Sequence, residues 1–228
     1  MKVAVVIPAW NEAASIAAVI RAIPTELGAA VVVVDGGSQD DTVEIARAAG
    51  AEVVVERRPG YGRACLTGVD RADALGAEVV AFCDGSDAAN PADLLPIVGP
   101  ILAGAADFVL GSRTLGLAEP GALRPLQRAG NWAATRLIAL RFGVQYTDLG
   151  SMRAMRLDEL RRLGLSELAH GWPTEMQVLA AKHGLRIREV PMHYRRRRAG
   201  ASKVSGHPLG AVRAGWAILR VASGLGRR

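Results

Sequence analysis

Over roughly its first hundred residues the chain alternates short, nearly continuous apolar runs with stretches of helical period. Residues 3–7, 30–34, 52–56 and 79–83 are apolar or β-branched almost throughout, the pattern of strands buried on both faces. Between them, 13–23, 42–49 and 64–75 repeat their apolar positions at helical spacing. Asp41 with Glu44 three residues on predicts a capping box, and Asn90-Pro91 predicts a helix start with Asn as cap and Pro in the first turn. Strands separated by helices predict an α/β fold built on a doubly wound, Rossmann-like, mostly parallel sheet.

The second half is less regular. Residues 107–111 predict another strand, and 115–125 form a loop rich in Gly and Pro. Helices are expected over 128–142 and 174–183, and strands over 186–190 and 192–195. The segment 209–225 is amphipathic. With no internal repeat or low-complexity stretch, the chain reads as one domain over 1–206 followed by a C-terminal helical extension over 207–228.

Composition narrows the class. Half of the 228 residues are hydrophobic and 22% are charged, ordinary values for a globular enzyme. A formal charge of +6 and a pI near 10.0 call for an anionic partner, whether nucleic acid, a phospholipid surface or a phosphorylated small molecule. Cys65 and Cys83 both lie in apolar segments and suit two buried thiols in a reducing compartment. The first apolar run is too short for a signal peptide, and no stretch reaches the ~18 apolar residues that a membrane span needs. The expected location is cytoplasmic, or attached to a membrane without crossing it.

In an open parallel sheet, ligands bind beyond the carboxyl ends of the strands. Here those turns are rich in acids and glycine: Pro8-Ala9-Trp10-Asn11-Glu12, Asp35-Gly36-Gly37-Ser38-Gln39-Asp40-Asp41, Pro59-Gly60-Tyr61-Gly62-Arg63 and Asp84-Gly85-Ser86-Asp87. Several carboxylates on one edge repel unless a cation or a donor-rich ligand joins them, and a nucleotide with a divalent ion supplies both. Asp35 is placed to accept from a base or sugar, Gly60 and Gly62 to let backbone approach a ligand, and Arg63 to meet phosphate. Each turn taken alone also reads as a solvated loop or helix cap. A dinucleotide fingerprint is excluded because the first turn lacks G-x-G-x-x-G, and no P-loop sequence occurs.

The ordered set PAWNE, VVVVDGGSQDDT, PGYGRACLTG and FCDGSD resembles glycosyltransferase family two, of the GT-A fold. Order and spacing are similar to the branch that holds dolichyl-phosphate mannose synthase and bacterial polyprenyl-phosphate glycosyltransferases. The likeness runs on through Gly111-Ser112-Arg113, Thr147-Asp148-Leu149-Gly150, Trp172-Pro173-Thr174-Glu175-Met176 and an R-x-x-G-x-S-K pattern from Arg197 to Lys203, covering about residues 3–206. The resemblance implies inverting transfer of a sugar from a nucleotide-diphospho-sugar to a polyprenyl phosphate. It implies that Pro8, Ala9, Glu12, Asp35, Gly37, Gly62, Arg63, Asp84 and Gly85 hold the nucleotide-sugar. Mg²⁺ or Mn²⁺ would sit on Asp84, and Asp148, Glu175 and Arg113 would lie at the reacting centre. The family's usual Asp-x-Asp is Asp84-Gly85-Ser86-Asp87 here, so Ser86 or Asp87 would take the place of the second acid.

The cations of the second half, Arg124, Arg128, Arg197, Ser202-Lys203 and Arg113, form a candidate cradle for the acceptor or diphosphate. Leu209, Val212, Trp216 and Leu219 recur at helical spacing beside Arg213 and Arg220, suiting an interfacial helix on an anionic membrane surface. The same stripe suits packing on the domain or on a second subunit in a homo-oligomer. A soluble glycan or small-molecule acceptor, or a nucleotide-sugar-binding protein with weak or no catalysis, are the alternatives. Nucleic acid is not an expected partner, because aromatics do not interleave the basic residues.

Overall fold

The structure, a computed structural model, describes residues 1–196 and 208–223. In chain order it contains β1 (Val3–Ala9), α1 (Ile16–Arg21), β2 (Ala30–Asp35), α2 (Thr42–Ala48), β3 (Glu52–Val55), α3 (Tyr61–Ala74) and β4 (Val79–Phe82). There follow α4 (Leu94–Leu102), β5 (Phe108–Ser112), α5 (Pro125–Phe142), β6 (Arg153–Arg156), α6 (Leu157–Leu163), α7 (Trp172–Lys182), β7 (Ile187–Pro191) and α8 (Pro208–Ala222). The seven strands form one sheet in the order β3-β2-β1-β4-β6-β5-β7. Only β6 is antiparallel to its neighbours β4 and β5; all other pairings are parallel.

The apolar runs form strands because both of their faces are covered. Ala4, Val6, Val34, Val80, Phe82 and Leu110 face a core layer with α3, α5 and α7. Val3, Val5, Ile7, Val33, Ala81 and Val109 face the opposite layer with α1, α2 and α4. Each fully buried Val or Ile contributes about 1.5–3 kcal/mol before entropy is set against it. Gly68 lets α3 lie close on the sheet: a Cβ there would stand 2.3 Å from Val6 Cγ1.

Three expectations change. Residues 192–195 are not a strand. They run as an extended strap in which Tyr194 makes single bridges to Ala89 and Ala118, because its partners are loops. The predicted capping box at Asp41 makes no side-chain cap; Asp40 does the local work, accepting from the Thr42 N–H at 3.2 Å and hydroxyl at 2.5 Å. The Asn90 cap forms as expected, accepting from Ala92 N–H, but Pro91–Asp93 is a 3₁₀ turn leading into α4. Also unforeseen are β6, four residues with Arg at both ends, and α6, whose Leu157, Leu160 and Leu163 are buried at three-residue spacing.

α8 lies against α5 and α7, with Val221 and Ala222 buried and Arg220 paired to Glu167 at 2.8 Å. Both cysteines are buried and unpaired. Among the described residues no helix is long and apolar enough to cross a membrane.

Candidate active site

Six parallel strands bring their carboxyl ends, and β6 its amino end, to one edge of the sheet. Ala9 pairs with Asp35, and Cys83 N–H donates to Val6 O, so the first, second and fourth turns lie side by side. They are tied to one another. Asn11, at φ +50, receives Gln39 N–H on its Oδ1 at 2.8 Å and donates its own N–H to Ser38 Oγ at 2.8 Å. Glu12 N–H donates to Thr42 Oγ1, and Ser15 Oγ donates to Gly85 O at 2.9 Å. Asp35, buried, accepts from Gly37 N–H (2.9 Å), Ser38 N–H (3.0 Å) and Ser38 Oγ (2.5 Å). A carboxylate has about four acceptor positions, so much of Asp35's capacity shapes its own turn. Pro8, Ala9, Glu12, Gly37 and Gly85 thus lie together on adjoining turns of one sheet edge.

Gly60 and Gly62 also pack against the chain itself. A Cβ on either would stand 2.2 Å from a carbonyl oxygen, Leu168 for Gly60 and Glu167 for Gly62. What their missing side chains admit is the chain's own 167–168 backbone. That contact seats the start of α3, where Arg63 N–H donates to Leu168 O at 3.1 Å and the buried Arg63 Nε has no hydrogen-bond partner among the described residues. Burial lifts the Tyr61 hydroxyl well above its usual pKa, so it stays a neutral donor, 3.4 Å from Asp84 Oδ1. The other Asp84 oxygen accepts from Ser151 Oγ at 2.5 Å.

Asp84 and Asp87 are partly buried, and Ser86 is buried between them. No group of three acidic, His or Cys side chains able to hold a metal exists among the described residues. One or two carboxylates on a glycine-bearing turn nevertheless fit Mg²⁺ or Mn²⁺, which take the rest of their shell from water and substrate phosphate.

Across the edge, Arg113 and Asp148 form a buried fork. Arg113 donates from N–H (2.8 Å) and Nε (2.7 Å) to Oδ2 and from Nη2 to Oδ1 (2.7 Å), while its guanidinium lies 5.3 Å from the Tyr194 ring. Burial opposes the guanidinium's charge, but hydrogen bonding and attraction from Asp148 outweigh it and raise its pKa. Asp148, 1% exposed, also accepts from Leu149 N–H. Asp148, expected at the acceptor side, is the counter-ion of Arg113. Glu175, in the first turn of α7, accepts from Ser166 N–H, Ser166 Oγ and Glu167 N–H, fastening the loop at 166–167. Arg124 and Arg128 are exposed at the start of α5. Arg197, Ser202 and Lys203 lie outside the described residues, as does the 206/207 domain boundary.

Four groups escaped the sequence reading. Glu56 follows β3 and binds Arg58 through two bonds (2.9 and 2.6 Å), which with the Arg58 N–H lower its pKa to about 2. Glu189 accepts from Thr147 N–H (3.0 and 2.9 Å) and Asp148 N–H (3.3 Å), and burial raises its pKa. Ser151 reaches Asp84, and Arg153 lies beneath them. None stands in a turn pattern that marks it, although charge inside β6 was a readable anomaly. A groove of about 310 Å³ beside the strap is lined by Asn90, Leu117, Glu119, His193 and Arg195.

Comparison with known proteins places the chain in a family. Residues 4–164 match the model of glycosyl transferase family 2, so the chain belongs to that family. An uncharacterized glycosyltransferase of Mycobacterium tuberculosis is 37% identical over 212 residues, covering 92% of this chain and 93% of the relative. A dolichyl-phosphate hexose transferase of Haloferax volcanii is 36% identical over 212 residues, with 92% and 89% covered. Among solved structures, glucosyl-3-phosphoglycerate synthase from Mycobacterium tuberculosis with Mn²⁺, UDP-glucose and phosphoglyceric acid is similar at a TM-score of 0.73 and 26% identity. That similarity covers 98% of this chain and 80% of the other. The chain is a glycosyltransferase.

Proposed function

We propose that this chain moves a sugar, with inversion, from a nucleotide-diphospho-sugar to a polyprenyl phosphate. The observation that carries this reading is the meeting of two unlike halves on one sheet edge: carboxylate turns at Asp35 and Asp84, and a guanidinium at Arg113 held by Asp148. In this reading Pro8, Ala9, Glu12, Asp35, Gly37, Arg63, Asp84 and Gly85 surround the donor. Arg113, Arg124, Arg128, Arg197, Ser202 and Lys203 receive phosphate.

Mg²⁺ or Mn²⁺, held by Asp84 with Ser86 or Asp87, would neutralise charge on the departing diphosphate. Tyr61 and Ser151 orient Asp84 for that purpose, one on each oxygen. Arg113 keeps its charge at every working pH and places it where an anionic acceptor arrives. A phosphate monoester, with a second pKa near ~6, is already ionised at neutral pH and needs no base. That accords with Asp148 being committed to Arg113. The Haloferax relative's name supports a lipid-phosphate acceptor.

Charge placement supports peripheral attachment at the cytoplasmic membrane face. No Asp or Glu occurs in 120–147 or after Glu189, and these two stretches hold 13 of the 28 Lys and Arg. The remainder carries 15 cations against 22 anions. On α5, Trp132 (69% exposed), Arg136 and Leu140 (76% exposed) share the outward face, and Trp216 of α8 is 68% exposed. Each Arg near an anionic leaflet adds about 1 kcal/mol.

A second reading is a phosphorylated soluble acceptor, favoured by the similar synthase crystallised with phosphoglyceric acid. The deciding experiment incubates the protein with labelled nucleotide sugars, Mn²⁺ and either polyprenyl phosphate in vesicles or phosphoglycerate. Label extracted with the lipid is the expected result; label only in a water-soluble phosphoglycerate glycoside overturns the lipid acceptor. Donor identity follows from thermal shift, since a nucleotide at about 100 times its Kd adds ~2.7 kcal/mol.

A further inference from the structure

Arg153, first residue of β6, pairs across the sheet with Phe82, two positions before Asp84. Its side chain is 0% exposed. Among the described residues it has no ion-pair partner; Nη1 donates to Pro173 O at 2.7 Å, Nη2 to Gly150 O, and Nε has no partner. Its guanidinium lies 6.0 Å from the Phe108 ring. Taking a guanidinium out of water costs several kcal/mol unless charge and hydrogen bonds compensate it. Two carbonyls, the face of that ring and the attraction of Asp148 compensate it only in part.

The two carbonyls lie on the sheet edge. Gly150 precedes Ser151, whose hydroxyl holds Asp84 Oδ2 at 2.5 Å. Pro173 follows Trp172, whose Cβ is among the atoms that exclude any side chain at Gly62, and whose ring meets that of Tyr61 edge-on at 6.5 Å. Tyr61 is the other neighbour of Asp84. Arg153 therefore clamps the two segments that carry, or pack against, both groups on that carboxylate.

We infer that Arg153 is a positioning residue for the donor site: a buried, unpaired guanidinium that fixes Gly150 and Pro173 and through them the orientation of Asp84. This rests on the reading of Asp84 as the carboxylate facing metal and diphosphate. A residue serving only the core would leave the Asp84 turn's response to metal unchanged once the fold is intact. A positioning residue shares that response with Ser151.

The test uses the full chain with Arg153→Met, Ser151→Ala and the pair together. Calorimetry with nucleoside diphosphate, with and without Mn²⁺, reads the metal-dependent tightening; hydrogen exchange without ligand reads residues 147–152 and 172–176. Each single change is expected to reduce the metal-dependent tightening about tenfold, and the pair little more than either alone. Exchange over 147–152 and 172–176 should quicken in Arg153→Met. Losses that multiply in the pair, or unchanged exchange in both segments, overturn the inference. Should Arg153→Met fail to fold, Arg153→Lys, which keeps the charge and reaches one carbonyl, is expected to lose about threefold. Wild-type exchange and metal response in the Lys variant overturn it equally. If the wild-type protein shows no metal-dependent tightening at all, the donor reading of Asp84 falls, and the ligand-free exchange still judges Arg153.

Discussion

The half of the edge from β1 to β4, which we propose as the donor half, and the half from β5 to β7, which we propose as the acceptor half, are held by different means. In the donor half, turn residues bond to the adjacent turn: Asn11 with Ser38 and Gln39, Glu12 with Thr42, Ser15 with Gly85. In the acceptor half, half-buried side chains hold segments distant in sequence: Arg113 to Asp148 and Glu189 to Thr147. The first kind of site is polar and built from neighbouring turns, with Glu12, Ser15, Asp35 and Thr42 buried. The second keeps charge out of water, so loss of one partner leaves the other exposed to its full desolvation cost. A metal-and-nucleotide site can be built from local turns. A fixed cation for an anionic acceptor needs a counter-ion brought in from elsewhere.

The comparison can be broken most severely at the donor side. Asp84→Asn is expected to cut transfer by about 10³- to 10⁴-fold, roughly 4–5.5 kcal/mol of barrier, with the melting temperature almost unchanged. Steady-state transfer assays beside a thermal melt check both parts. A stable Asp84→Asn enzyme within tenfold of wild type would move the metal elsewhere.

Asp148→Asn should do the reverse. It leaves Arg113 poorly compensated, and because that side chain is still 17% exposed the low end of the buried-pair range applies, about 3 kcal/mol. For a chain of this size that lowers Tm by about 6–12 °C, while nucleotide binding persists. Calorimetry of unfolding reads it, and a simultaneous Arg113→Met should restore part of the loss.

Ser86→Asp sharpens the difference instead. Supplying the second acid should tighten Mn²⁺-dependent nucleotide binding about tenfold, at a small cost in stability for a charge placed in a buried turn. Weaker metal binding in this variant would point to Asp87 as the second ligand.

The smallest effect concerns acid. Glu56 has its pKa lowered to about 2 by Arg58, so its contribution is complete above the unfolded carboxylate value of about 4.3 and is lost as pH falls through about 2. Glu56→Gln should flatten that limb of the stability curve between those pH values and leave neutral pH nearly unchanged. Denaturant melts at several pH values resolve it, and an unchanged acid limb would remove Glu56 from the account.

Sequence alone determined most of the donor half. Buried parallel strands need β-branched runs, their turns need Asp, Gly and Asn, and both signals are local, so β1 to β4 and the Asp35 and Asp84 turns were legible without coordinates. Family membership followed from the order of those turns. Tertiary structure decided what the local pattern does not carry: that β6 inserts antiparallel between β4 and β5, that the 167–168 backbone packs on Gly60 and Gly62, and that Asp148 and Glu175 hold Arg113 and a loop. The physical reason is one of range. A strand or turn is specified by neighbours a few residues away, whereas a buried charge is specified by whichever distant groups share its low-dielectric surroundings. For Arg153 those groups are two carbonyls, Gly150 nearby and Pro173 in another element, which no periodicity announces.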